Sequence, residues 1–371
     1  MAGKRNGTVY AGKILRPMKK MKKTIIFAIV AVCCFYGCGK TVTTSTSEAT
    51  KRYLDAWVHV QKEKHPEYLW EQTALGSWLM EDVQGSGAPV GDFPDSFYVR
   101  VNYTYRDLDG TISGTTSEKM SQQLGTYDET YYYGPVVWYA KGIYAGLEDL
   151  IKGMRPGGRR KALIPAWLMT FDRYDDVAAY MNADQSKNGD TGIYELELVE
   201  YFDYVNEWEL DSISRYLTHN FAAKYGTSMS KAKADSAGTH GFYYIQTKAP
   251  ADTVTLKDTT VYINYIGRLL DGRVFDTNIR DTAVFHGLYN ASRTYAPESI
   301  TYGDVWSDTK MGADSNSIIK GFARTLWKMK SFEEGTGIFY SPLGYGYRGS
   351  GSSIPAYSPL RFDIQIVAKP D

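Results

Sequence analysis

The chain has 371 residues and balances 42 Lys+Arg against 42 Asp+Glu, enough length for two domains that each bury a core of their own. With 31 tyrosines, 35 glycines and 5 histidines, the composition suits antiparallel strands and turns better than a helical bundle. The 3 cysteines, Cys33, Cys34 and Cys38, all lie near the N-terminus, which leaves the remainder with neither a disulfide nor a cysteine metal site.

The first segment reads as a processing signal. In "MKKMKKTIIFAIVAVCCFYGC", from Met18, four lysines precede an apolar run over residues 25–36, short for a bilayer-spanning helix. The run closes on Gly37-Cys38, which resembles a bacterial lipoprotein box whose cysteine becomes the acylated first residue. Residues 1–38 are therefore expected to be a signal segment with Cys38 as its lipidation site, translated from Met18 or Met21, and residues 39–50 a Thr/Ser-rich tether. The protein is then lipid-anchored in the cell envelope, facing the periplasm or the cell exterior; a plain secretory signal and an uncleaved anchor are the alternatives. Residues 1–37 hold 8 of the 42 basic residues and no acidic one, so their removal leaves 34 against 42, a net charge of −8. Such a chain is not expected to bind nucleic acid through backbone phosphates.

After the tether, Leu54, Trp57 and Val58 share one face of a helix. A repeat follows. "GSWLMEDVQGSGAPVGDFPDSFYVRVNYTYRDLDG" from Gly76 and "GFYYIQTKAPADTVTLKDTTVYINYIGRLLDG" from Gly241 each run strand, polar break, alternating strand, Asp-Gly. The Asp-Gly pairs start at Asp109 and Asp271, 162 residues apart, so one domain type occurs twice. Each copy continues into a short segment with apolar spacing of three and four, residues 147–154 and 322–329, and ends in a strand, "YELELVEY" from Tyr194 and "LRFDIQIVA" from Leu360. These periods predict an α+β fold in which an antiparallel sheet curves around one short helix. Between the copies Ile213, Tyr216, Leu217 and Phe221 share a face of another helix, with Asp211 placed to cap it and Gly226 to end it. The expected divisions are residues 51–200, a helical linker over 201–240, and 241–371.

Four blocks, "VYINYIGRLLDGRVFD", "IIKGFARTLWKM", "YSPLGYGYRGSGSSIP" and "LRFDIQIV", taken in this order, resemble an FKBP-type peptidyl-prolyl cis-trans isomerase domain over residues 241–371. The whole chain then resembles a tandem-domain lipoprotein of that type. The resemblance implies two FKBP-like domains, each a curved antiparallel sheet wrapped around a short helix, with additional helices preceding each. It implies Tyr265, Phe275, Asp276, Ile319 and Tyr345 as the catalytic set, and Ile318, Phe322, Ile354 and Phe362 as substrate-binding residues. Tyr345 OH and the Ile319 N–H would hold substrate carbonyls, and Asp276 would tether Tyr265. Phe322 stands where the family usually carries tryptophan, and residues 279–317 form a longer segment than is usual there, with Phe285 and Trp306 as candidates for one further pocket aromatic.

The first copy departs from this set. "DGTISGTT" leaves Ser113 and Gly114 where the ring and carboxylate should stand, and Thr170 falls near the place of the late tyrosine; an inactive spacer, docking or holdase module is expected. Residues 184–195 approximate a calcium-loop spacing, but position eight is Thr191 and a strand follows where a helix belongs, so a polar turn is the expectation. "GSGAPVG" from Gly85 lacks the dinucleotide spacing, and His59 and His65 have no nearby ligand partners. No metal and no cofactor are expected. The predicted function is isomerisation of X-Pro bonds in extracytoplasmic proteins through an apolar pocket without covalent chemistry. Its partners would be proline-containing unfolded or folding polypeptides, and the membrane through the lipid anchor. The alternative is a non-enzymatic chaperone or assembly lipoprotein that binds proline-containing segments.

Overall fold

The computed structural model describes residues 46–94, 96–222, 240–252 and 254–370. The expected signal segment, Cys38, the first part of the tether and Gly226 lie outside them. Helix α1 (Thr46–Lys64) begins inside the expected tether. Its Leu54 and Val58 are buried in the N-terminal core with Trp57 packed against it. Among the described residues no helix is long and apolar enough to cross a membrane.

The N-terminal sheet contains β1 (Glu71–Gln72), β2 (Trp78–Val83), β3 (Tyr98–Arg106), β4 (Ile112–Thr115), β5 (Val136–Tyr139), β6 (Arg159–Ile164) and β7 (Gly192–Phe202). They pair in the order β1-β2-β6-β7-β3-β4, with β5 also on β3. Short helices α2 (Glu118–Leu124), α3 (Ala145–Ile151) and α4 (Val177–Asn182) complete this half. The helix between the sheets, α5, runs Val205–Asn220.

The C-terminal sheet contains β8 (Phe242–Lys248), β9 (Thr260–Leu269), β10 (Val274–Thr277), β11 (Glu298–Thr301), β12 (Lys310–Met311), β13 (Asn316–Ser317), β14 (Glu334–Phe339) and β15 (Leu360–Val367). Its order is β13-β12-β11-β9-β15-β14-β8, with β10 also on β9, so β8, β14, β15, β9, β10 and β11 repeat the places of β2, β6, β7, β3, β4 and β5. All pairs are antiparallel. Helices α6 (Arg280–Phe285) and α7 (Lys320–Lys328) belong to this half.

Period-2 burial explains the inner face: Leu360, Phe362, Ile364 and Ile366 of β15 are buried in turn, and α7 lays Phe322, Ala323 and Leu326 on the same core. The helix comes so close to β14 that a Cβ on Gly337 would lie 1.8 Å from Thr325 Oγ1. On the outer face Ile213, Leu217 and Phe221 pack with Tyr243, Ile245 and Ile338, so α5 covers the back of the C-terminal sheet.

Helix α5 starts six residues before the expected cap. Tyr204 is its N-cap, without a side-chain bond, and Asp211 lies within the helix. The early start is fixed by packing: Trp208 stacks on Phe202 at 4.8 Å, and Glu209 is wholly buried against Ser341. Both sheets belong to one compact unit, Thr50–Asp371.

Candidate functional site

Strand β9 carries Tyr265 inward, opposite Ile364 of β15, and two positions on it brings Gly267 opposite Phe362. That glycine is required by contact, since a Cβ there would lie 2.7 Å from the Phe275 ring and 2.9 Å from the Phe362 ring. Phe275 and Phe362 meet edge to face at 5.5 Å, Phe322 and Phe362 at 4.9 Å, and Tyr265 and Phe322 at 5.6 Å. Such edge-to-face pairs add attraction beyond area burial. Ile354 is buried in the same cluster, while Phe275, Ile318 and Ile319 are half-buried against it.

Polar groups stand at the edge of this aromatic floor. Tyr265 OH donates to Asp276 Oδ2 at 2.7 Å, and Arg293 donates from Nη1 to Asp276 Oδ1 at 2.6 Å and from Nη2 to the Tyr265 hydroxyl at 3.0 Å. Burial, then the Asp276 charge, push the Tyr265 hydroxyl above its ordinary range, so it remains a protonated donor. Tyr345, 37% exposed, is raised by burial and then by the same carboxylate. Ile319 is the N-cap of α7. Its carbonyl accepts from Ala323 N–H, while its own N–H has no acceptor among the described residues.

A cleft of about 230 Å³ opens beside Phe275, Asp276 and Arg293, and Leu288, Ser352, Ser353, Thr130 and Tyr131 close it. A larger hollow of about 470 Å³ lies on the N-terminal sheet. Its lining Lys161, Glu195, Arg159 and Glu197 are already ion-paired, and it gathers no apolar floor. Glu195, the last residue of the calcium-like loop, pairs with Arg106 and Lys161, while Asp184 accepts from Ser186; the loop is a polar turn leading into β7. Of the two candidate aromatics in the long segment, Phe285 is 83% exposed and Trp306 lies under the Arg324 guanidinium at 4.1 Å. Neither joins the aromatic floor.

Sequence reasoning missed Arg293; the repeat locates its segment without revealing its partner. Residues 98–139 and 260–301 align at the single offset of 162 without a gap, so most of the long segment is common to both copies. Tyr127 stacks on Tyr133 at 5.5 Å as Tyr289 stacks on Tyr295 at 5.5 Å. The Asp128 N–H donates to Tyr133 OH as the Asn290 N–H donates to Tyr295 OH. Arg293 thus corresponds to Tyr131, Asp276 to Gly114, Phe275 to Ser113 and Gly267 to Tyr105.

In the N-terminal copy Tyr105 pairs with Tyr194, their rings 4.7 Å apart. The phenol stands where the other copy keeps Gly267 open beneath Phe275. Burial, the Asp107 hydrogen bond and nearby charge push its hydroxyl up to about 12. Ser113 Oγ donates to Asp107, and Thr170 is buried, its carbonyl accepting from Ala145 N–H at the start of α3.

A family model described as FKBP-type peptidyl-prolyl cis-trans isomerase matches residues 301–367. This span holds Ile318, Ile319, Phe322, Tyr345, Ile354 and Phe362, while Tyr265, Phe275 and Asp276 precede it. The chain is 32% identical over 118 residues to the peptidyl-prolyl cis-trans isomerase FKBP11 of Bos taurus, covering 32% of this chain and 45% of that one. It is 27% identical over 146 residues to a probable FKBP-type peptidyl-prolyl cis-trans isomerase of Haemophilus influenzae, covering 39% and 49%. The chain spans about half the length of these curated relatives. A solved structure of the 3 FKBP domains of wheat FKBP73 aligns at 15% identity with a TM-score of 0.26, covering 79% of this chain and 93% of that one. Residues 301–367 thus match the FKBP-type peptidyl-prolyl cis-trans isomerase family, and both relatives are named for that activity.

Proposed function

We propose that the C-terminal copy isomerises X-Pro bonds of extracytoplasmic polypeptides, with Tyr265, Phe275, Asp276, Ile319 and Tyr345 at the reacting amide and Ile318, Phe322, Ile354 and Phe362 holding the chain around it. The observation that carries this reading is the Tyr265–Asp276–Arg293 hydrogen-bond set at the rim of the Phe275, Phe322 and Phe362 floor. Rotation about an X-Pro bond must break amide conjugation, against a barrier of ~18–20 kcal/mol. The planar amide is strongly dipolar and the twisted one less so. An apolar floor that excludes water therefore favours the twisted state over the ground state, the differential binding on which rate depends. Among the described residues the Ile319 N–H and Tyr345 OH have no hydrogen-bond partner, which leaves them to orient the flanking carbonyls, and no bond to the protein forms or breaks.

The test is cis/trans exchange on a proline peptide. Asp276→Ala is expected to slow exchange by about tenfold or more, since it removes the acceptor of the buried Tyr265 hydroxyl and leaves Arg293 only that hydroxyl to bond. Both members of the Arg293–Asp276 pair are more than a third exposed, at 36% and 39%. Its loss costs about 1 kcal/mol of stability at most, so a folded, slow variant is the expected result. If wild type, Asp276→Ala and Tyr345→Phe all lack turnover yet keep unfolded clients in solution, the protein is a proline-segment chaperone and the enzymatic reading fails.

The N-terminal copy carries Tyr105 at the position of Gly267, with Ser113 and Gly114 in place of the ring and carboxylate, which supports an inert role there. The apolar run ending at Gly37-Cys38 supports a lipid anchor in the cell envelope. Cells fed a labelled fatty acid are expected to label the wild-type protein and not Cys38→Ser. Equal labelling, or none in either, would remove the anchor from this reading.

A further inference from the structure

We propose that the N-terminal copy supplies one wall of the C-terminal substrate cleft, with Tyr131 as a specificity-determining residue; this rests on the isomerase reading of that site. Thr130 and Tyr131 line the same cleft as Phe275, Asp276 and Arg293, although they lie in the other half of the chain. The approach is anchored at several points. Arg273 Nη1 donates to the Tyr131 carbonyl at 2.7 Å, and the Tyr132 N–H donates to the Ser352 carbonyl at 2.8 Å. The Tyr132 ring packs against the C-terminal core. Gly287 gives room for Glu129, because a Cβ there would lie 2.0 Å from the Glu129 carboxyl carbon.

The wall is also rigid within itself. Asp128 Oδ1 accepts from the Thr130 N–H at 2.8 Å and from its hydroxyl at 2.6 Å, while the Tyr127–Tyr133 stack closes the base of the loop. The repeat explains why this loop is available to the other copy. In the C-terminal copy the equivalent loop is drawn to its own site by Arg293 on Asp276. In the N-terminal copy those two positions are Tyr131 and Gly114, so no such ion pair can form, and the tip of the loop faces its neighbour's site instead. A proline-containing segment lying along Phe275 must therefore pass between Arg293 and Leu288 on one side and Tyr131 on the other. Tyr131, 42% exposed, limits with its ring the size of the residue accepted beside the proline.

The test uses the full chain and a set of proline peptides that differ only in the residue beside proline, from glycine to tryptophan. Tyr131→Ala is expected to raise kcat/KM for the bulky peptides relative to the small ones by about tenfold, the scale of a lost apolar contact in a pocket. Tyr131→Phe is expected to keep the wild-type ratio. Arg273→Ala, which removes the anchor at Tyr131 itself without touching the reacting groups, is expected to move the ratio the same way as Tyr131→Ala. Asp276→Ala slows all peptides together and so reports on the isomerase reading separately. An unchanged ratio in Tyr131→Ala and Arg273→Ala, or a shift toward small residues, overturns the wall. If wild type turns over no peptide, the isomerase reading falls, and the wall is judged by titrating the same peptides and following backbone amide resonances. Shifts at Thr130 and Tyr131 together with Asp276 support it, and shifts at Asp276 without them overturn it.

Discussion

Gly267→Tyr is expected to abolish proline isomerisation by the full chain while leaving both sheets formed. The substituted side chain has to enter the space between Phe275 and Phe362, where even a Cβ would come within 2.7 Å and 2.9 Å of ring carbons. The N-terminal copy displays the product of such a change. Tyr105 occupies the equivalent position, lies 4.7 Å from Tyr194, and is accommodated because Ser113 replaces the ring of Phe275. With Phe275 retained, overpacking costs about 1–3 kcal/mol. Adding Phe275→Ser to Gly267→Tyr is expected to return much of that stability without restoring exchange. Loss of turnover by at least about a hundredfold, roughly 2.7 kcal/mol of barrier, is the result to look for in both variants. The same measurement reports on the other half of the chain, because an active N-terminal copy would continue to turn over substrate. Persistent exchange in the double variant would sink either the placement of the site or the inertness of the first copy, and adding Asp276→Ala would show which.

The aromatic floor could be read from the sequence because each member sits in an element with its own short-range pattern. Tyr265 lies in a strand that alternates at period 2, Phe322 on the apolar face of a helix, and Phe362 in the closing strand. Arg293 had no such pattern. It is 17 residues beyond its carboxylate, in a segment whose composition reads as loop, and its role follows only once β10, α6 and the loop fold back on β9. Tyr131 was further out of reach, since its contact with the C-terminal site spans more than 140 residues. The start of α5 was misplaced for a related reason. Asp211 has the chemistry of a cap and Glu209 that of a solvated helix face, yet Tyr204 starts the helix and Glu209 is wholly buried. Local propensity favours the aspartate, and tertiary packing of Trp208 and Glu209 overrides it.

That burial makes Glu209 the residue whose replacement should most change how stability depends on pH. Its carboxylate accepts from the Ser341 N–H and, at 2.7 Å, from the Ser341 hydroxyl. It thereby ties α5 to the turn Ser341–Leu343, just before Tyr345. Burial pushes its carboxyl up from 4.5 to about 7, against the two Ser341 hydrogen bonds, which favour the ionised form. The folded state therefore holds a proton that the unfolded state has released between pH 4.5 and about 7, and stability falls as pH rises through that window. At ~1.4 kcal/mol for each pKa unit the change is on the order of 3 kcal/mol. Glu209→Gln keeps a carbonyl acceptor for Ser341 and removes the titration. Denaturation midpoints of wild type and Glu209→Gln are expected to lie close together at acid pH and to separate toward neutral pH, with the glutamine variant the more stable. Because the same bond fixes the approach to Tyr345, wild-type exchange should change little across the window while the Ser341 contact holds. Glu209→Ala, which removes the acceptor, should lower both stability and exchange rate. Parallel stability profiles for wild type and Glu209→Gln would mean that the buried carboxyl titrates as it does in water, and that the packing of α5 on the C-terminal sheet is looser than its contacts with Ser341 require.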